Sequence, residues 1–308
     1  MTERSVTVIG GVQVDLLIAP VDDLPDPGAA MFVDHMEMRA GGAGANVAFA
    51  LRELAVPVRL IGCVGGDHLG EWMIEQLAAA DLDSDVVVSD DGPTGLTVVC
   101  QGPSRDRTFV TYLGVNEGWG LPMIAEDAFA AESLLFCNYF CAPSLHGAAA
   151  RELLGRAHEA GATTFFDTNW DPAGWPESTK QELREILPHA DVFLPNETEA
   201  RAISGVSGSA EEAARLLQAI SGGWVVVKLG RRGCFAAGPG EVELSVAAPE
   251  IEVGDSTGAG DAFNAGLIAA LAEGRPWPEA LRAATTLAST IVSRPSSERH
   301  PGAAEARS

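Results

Sequence analysis

Gly254-Asp255-Ser256-Thr257-Gly258-Ala259-Gly260-Asp261-Ala262-Phe263-Asn264-Ala265-Gly266 follows an extended run at residues 251–253 and leads into a helical pattern over residues 262–271. A strand-to-helix turn this rich in glycine lets backbone approach a ligand closely and aims N–H groups at it. The helix dipole adds positive potential at the same point, so an anion, above all a phosphate, suits the turn. Asp261 then places a carboxylate where a negative group is expected. That is explained if Asp261 serves as a base toward a hydroxyl being phosphorylated beside the anion. The same glycines would also serve tight packing of helix on strand.

Outward from this turn the strand–helix unit repeats. Strands are expected at 134–137, 163–166, 191–194 and 224–229, and helices at 145–159, 180–187 and 211–220. A hairpin at 233–237 and 242–246 precedes helices at about 259–273 and 277–292. Such alternation predicts an α/β fold, a mostly parallel sheet with helices on both faces. The N-terminal third is less regular. A strand at 6–9 is followed by extended pieces at 14–18 and 30–38 before a helix that residues 39–46 open and that runs to about 54. A strand at 58–64 and a helix at 70–79 precede three extended runs at 86–88, 96–100 and 108–113. The pieces at 14–18 and 30–38, which precede the first helix, can form a small sheet outside the main series. The expected organisation is a single domain, residues 1–295, with β excursions at about 12–39 and 95–114. Residues 296–308 form a polar tail.

With 308 residues and 46% hydrophobic composition, the chain is long enough for a sizeable core. A net charge of −23 disfavours nucleic acid and anionic membranes as partners, since both need basic surfaces. Cys63, Cys100, Cys137, Cys141 and Cys234 sit mostly among apolar residues and read as reduced, buried thiols of a cytoplasmic protein. The first residues show no signal-peptide pattern, and no run of about 18 apolar residues occurs.

Neither G-x-x-x-x-G-K-[ST] nor G-x-G-x-x-G is present, which sets aside the P-loop and the dinucleotide fingerprint. Gly254 to Gly258 matches G-x-S-x-G, the nucleophile elbow of α/β-hydrolases. That chemistry needs a His after Ser256, and His300 in the polar tail cannot be held in place. A second glycine cluster, Gly41-Gly42-Ala43-Gly44-Ala45-Asn46, stands at another helix start. Asn46 offers donors and an acceptor, which suits sugar hydroxyls, and also suits a local cap. Asp15, just past the first strand, can accept from two hydroxyls. Pro195-Asn196-Glu197-Thr198-Glu199 follows a strand at the carboxyl end, where ligand crevices form in open α/β sheets. Asn196 and Glu199 share one side of a helix start, as a helix cap or as a carboxylate that holds Mg²⁺ through water. Lys228-Leu229-Gly230-Arg231-Arg232-Gly233 closes another strand, as a hairpin turn or as a place where a nucleotide approaches.

Together these stretches resemble the ribokinase-like (PfkB) carbohydrate kinase family, over residues 6 to about 293. The two signature regions are Gly41 to Asn46 and Asp255 to Asp261. The resemblance implies the three-layer ribokinase-like fold and ATP-dependent phosphorylation of a small carbohydrate. Asp261 would be the catalytic base, with Gly258, Ala259 and Gly260 forming the anion hole. Asp15, Gly41, Gly42 and Asn46 would bind the acceptor. Asn196, Lys228, Gly230, Gly233 and Thr257 would line the ATP side. Glu199 would organise Mg²⁺, and Asp255 matches a position that holds a monovalent cation, K⁺, in many members. The β excursions would form a lid over the sugar, and such lids often mediate dimers. Two departures narrow the inference. Asp171 stands where fructokinase-like and ketodeoxygluconate-kinase-like members carry Arg, which disfavours an acidic sugar. Ser293-Arg294-Pro295-Ser296-Ser297 lacks the usual Gly-Ala ending near the cation site. A neutral ketose or pentose fits best, with a nucleoside or sugar phosphate as the second reading and a non-catalytic sugar or nucleotide sensor as the third.

Overall fold

A computed structural model describes residues 5–21, 23–102, 107–251 and 257–294. Arg105, Asp255, Ser256 and the tail from residue 295 lie outside the described residues.

In chain order the elements are β1 (Val6–Ile9), β2 (Gln13–Ala19), β3 (His35–Gly41), α1 (Ala43–Glu53), β4 (Val58–Gly65), α2 (His68–Ala79) and β5 (Asp83–Ser89). They continue with β6 (Leu96–Gln101), β7 (Arg107–Tyr112), β8 (Ser133–Cys137), α3 (Ala148–Glu159), β9 (Thr163–Asp167), α4 (Glu177–Ile186) and β10 (Val192–Phe193). The last third comprises α5 (Glu197–Ser204), α6 (Ala210–Ser221), β11 (Trp224–Lys228), β12 (Cys234–Gly238), β13 (Val242–Val246), α7 (Ala259–Ala272) and α8 (Trp277–Ser293).

Nine strands form the main sheet in the order β13-β12-β11-β10-β9-β8-β1-β4-β5. It is parallel from β5 to β11, and β12 and β13 add an antiparallel hairpin at one edge. Its central strands are apolar on both faces, as buried parallel strands must be. Period-two alternation then divides the core in two. Val8, Leu135, Phe165 and Val226 pack with α1, α2, α7 and α8 on one face. Ile9, Phe136, Phe166 and Val227 pack with α3 to α6 on the other.

A second, four-stranded sheet, in the order β3-β2-β6-β7, leaves the main sheet just beyond the end of β1. The structure corrects two sequence expectations here, at the start of α1 and at the start of α3. Residues 39–41 do not open a helix. They complete β3, because Asp15 pairs with Arg39 and Gln13 with Gly41 in the ladder with β2. The chain turns only at Gly42, whose φ of 86° starts α1. The run at 86–88 belongs to β5, the parallel neighbour of β4. Finally, α3 begins at Ala148 and not at 145, since Pro143–Leu145 forms a separate 3₁₀ turn and Gly147 has a φ of 55°.

Candidate active site

The start of α7 is set by Gly258, in the left-handed region at φ 73°. Among the described residues a Cβ at that position would meet nothing within 4 Å, so glycine serves the backbone conformation there. Asp261 sits in the first turn of α7. Its Oδ2 accepts a hydrogen bond from Asn46 Nδ2 at 2.8 Å, which joins α1 to α7 across 215 residues of sequence. Burial pushes the Asp261 carboxyl up to about 6, and Asp167 and Asp15 push the same way, against Asn46 and Lys228. A carboxylate tuned toward neutrality and held by one donor is suited to taking a proton.

On the side expected to take the acceptor, Asp15 lines a cavity together with Arg39, Asn46, Thr257, Gly258 and Ala262. The second glycine cluster makes that cavity possible. A Cβ on Gly41 would collide with the Asp15 carboxylate, and a Cβ on Gly42 with the carbonyl of Gly11. Burial raises the Asp15 carboxyl to about 6, opposed by Gln13 and Arg39. Gln13, which sequence reasoning passed over, stands two residues before Asp15 on the same strand face. Its Nε2 donates to Thr97 Oγ1 at 2.6 Å, while its Oε1 is buried with no partner among the described residues. Thr257, expected on the nucleotide side, lines the cavity that Asp15 and Asn46 share.

The other side is built from the carboxyl ends of β9, β10 and β11. Asn196 and Lys228 are joined by a parallel bridge. Lys228 Nζ lies 2.6 Å from Asp167 Oδ2, and Asn264 Nδ2 donates to the same oxygen at 2.6 Å. Burial pulls the Lys228 ammonium down, but Asp167, Glu199 and Asp261 outweigh it and hold it above the usual range. Asp167 and Asn264 were not singled out for this role. The available signal was an acid at the last residue of a buried strand in a parallel sheet.

Asn196 and Glu199 form a reciprocal capping box on α5. Glu199 N donates to Asn196 Oδ1 at 2.9 Å, and the Glu199 carboxylate accepts from Asn196 N at 2.8 Å and from Nδ2 at 2.5 Å. Burial, then Asp167, raise the Glu199 carboxyl to about 7. Gly233, at φ 94°, is required by the β11–β12 turn, where a Cβ would run into the carbonyl of Val246. Gly230, at φ 58°, meets no such obstacle. Among the described residues no group of three or more His, Cys, Asp or Glu is arranged to hold a metal. Asp171 is buried and turned into its own loop, where it accepts from the amides of Ala173 at 2.8 Å and Trp175 at 2.9 Å.

A parallel sheet with helices on both faces, an accessory four-stranded sheet and a site at the strands' carboxyl ends define the ribokinase-like class of kinases. The chain belongs to the pfkB family of carbohydrate kinases, whose family model matches residues 3–301, and is a sugar phosphotransferase. It is 26% identical to the ribokinase of Haemophilus influenzae over 298 residues, covering 94% of this chain and 93% of the other. It is 33% identical to the fructokinase of Klebsiella pneumoniae over 262 residues, 82% of each chain. The structure of Arabidopsis thaliana ribokinase complexed with ribose and ATP superposes with a TM-score of 0.80 at 25% identity, covering 94% of this chain and 93% of that one.

Proposed function

We propose that the protein transfers the γ-phosphate of ATP to a hydroxyl of a small neutral sugar, a ketose or a pentose, with Asp261 as general base. The observation that carries this reading is the Asn46–Asp261 hydrogen bond, which ties the base to a side chain that lines the cavity together with Asp15. Asp15 and Asn46 bind the acceptor's hydroxyls, and Gly41 and Gly42 give them room. Asp261 takes the proton of the attacking hydroxyl as the new P–O bond forms. The backbone amides at Gly258 to Gly260 face the charge on the transferring group, a task that needs positioning more than covalent chemistry. Asn196, Lys228, Gly230 and Gly233 serve the nucleotide side, with Thr257 at the junction of the two.

A neutral acceptor is favoured by the charge of the lining. Among the charged residues lining the cavity, Arg39 is engaged by Glu37 at 2.7 Å and Glu53 by Arg294 at 2.9 Å, which leaves the Asp15 carboxylate to face the sugar. An anionic sugar would meet that carboxylate, and Asp171 supplies no cation in its place. Glu199 fits an outer role toward Mg²⁺. Each of its oxygens already accepts one bond from Asn196, so Glu199 would hold the ion through water, with the remaining lone pairs as acceptors. Mg²⁺ bound there would neutralise phosphate charge. A K⁺ site involving Asp255 falls outside the described residues. The four-stranded sheet serves as the lid. Its edge strands β3 and β7 expose Met36, Met38, Phe109, Val110 and Tyr112, an apolar margin suited to a homodimer through the lid. Among the described residues no helix is long and apolar enough to cross a membrane, and we place the enzyme in the cytoplasm.

The test is ADP release over a panel of ketoses, pentoses, sugar phosphates and nucleosides. Turnover with a neutral ketose or pentose is expected. Turnover confined to nucleosides or sugar phosphates would replace the acceptor assignment, and tight ATP binding without any turnover would point to a sensor.

A further inference from the structure

Lys228 and Asp167 form an ion pair at 2.6 Å in which Asp167 is only 2% exposed. Burying such a pair is seldom better for stability than burying apolar groups of the same size, because both charges lose their water. Its geometry points instead to a use. Asp167 Oδ2 receives Lys228 Nζ and Asn264 Nδ2 together, and Asn264 Oδ1 lies 3.5 Å from Nζ. Asn264 is one turn into α7, so the same helix that carries Asp261 also fixes the ammonium. A Cβ on Gly260 would lie 3.5 Å from Nζ, which sets the charge against the first turn of α7. An ammonium has three donors. Asp167 takes one and Asn264 offers a long second contact, which leaves a proton for a group arriving at the helix start.

We infer that Asp167 and Asn264 are positioning residues that hold the Lys228 ammonium against the transferring phosphoryl group, which makes Lys228 a catalytic residue and not a passive wall of the nucleotide side. In the step itself the acceptor oxygen bonds to the γ-phosphorus, the bond from that phosphorus to the bridging oxygen breaks, and ADP leaves with the electron pair. The hydroxyl proton goes to Asp261, and Lys228 keeps its three protons throughout. A fixed ammonium beside backbone amides stabilises charge without reorganising. The inference rests on the proposed site at the start of α7 but not on Asp261 acting as base.

The test is a double-mutant cycle of Lys228→Met and Asp167→Asn, read as kcat and KM with the best acceptor and MgATP. K228M is expected to lower kcat by about 10²–10³-fold, the usual cost of losing one donor to a developing anion, with KM for the acceptor little changed. D167N is expected to lower kcat by a smaller factor and to add almost nothing in the K228M background, since it acts through the lysine. D167N is also expected to create a new basic limb in the kcat profile. The groups facing Lys228 are Asp167 from β9, Glu199 from α5 and Asp261 from α7, with the Cys137 thiol of β8 nearby. Without Asp167, burial is opposed only by Glu199 and Asp261, so the lysine value moves down and activity falls as pH rises through it. A K228M enzyme with normal kcat, or losses that add fully in the double variant, overturns the inference. Should K228M not fold, the D167N profile decides: a basic limb supports the role, and an unchanged profile removes it. An Asp261→Asn enzyme with normal turnover would sink the base assignment while leaving this cycle intact.

Discussion

Helices α5 and α7 both start at the carboxyl ends of strands, yet they finish their N-termini in opposite ways. Helix α5 satisfies its own amides through the capping box of Asn196 and Glu199. Helix α7 begins on Gly258, which has no side chain to offer, and puts Asp261 in its first turn. The first turn of any α-helix has N–H groups without intrahelical partners. Closing them with side chains stabilises the chain, whereas a glycine start presents backbone to an incoming anion. Under the proposed function, the difference separates a helix end that serves the fold first from one that serves chemistry first. Asn46 makes the same point from the other side, since its amide is spent on Asp261 and not on capping α1.

The comparison can be broken most directly at Asp261. Asp261→Asn is expected to lower kcat by about 10²–10⁴-fold, the range for losing a general base, with ATP binding retained. Normal turnover in that variant, measured by ADP release, would remove the proposed base. A finer test uses pH. A base with a pKa of about 6 is protonated as pH falls, so kcat/KM should drop through an acidic limb near that value. Asn46→Ala deletes the donor that favours the ionised form, so the limb should move to higher pH; an unmoved limb would detach Asn46 from the base. The smallest effect is expected at α5. Asn196→Ala should cost about 1 kcal/mol of stability, as lost caps do, which a thermal melt would register as a few degrees. If Glu199 also orients water around Mg²⁺, the apparent Mg²⁺ affinity should fall with it. A lowered Tm with unchanged Mg²⁺ affinity would assign the box to folding alone.

Much of the fold was legible because parallel strands buried on both faces are short apolar runs, and amphipathic helices alternate with them. The hairpin of β12 and β13 and the pair α7 and α8 follow directly from such patterns. The boundary between β3 and α1 was not legible. Arg39 to Gly41 carry no strong strand propensity, and only their pairing with Gln13 to Asp15 makes them strand. Within the site, Asp261 and Asn46 were marked by their glycine-rich surroundings. Asp167 lacked any such local mark, and Asn264, although it lies in the opening glycine-rich stretch, carried no local sign of its partners. Their roles arise from contacts spanning 61 and 97 residues of sequence, which no local spacing encodes.

The sequence by itself determined the family and with it the class of reaction, because a glycine-rich turn with a carboxylate in its first helical turn is a local pattern that the chain carries within a dozen residues. The tertiary structure decided which groups share that turn: Asn46 against Asp261, Asp15 across the cavity, and the Lys228 ammonium held by Asp167 and Asn264. The reason is physical. Backbone conformation and helix-end polarity are set by neighbours in sequence, whereas the burial and pairing of charges depend on which strand ends the sheet brings side by side.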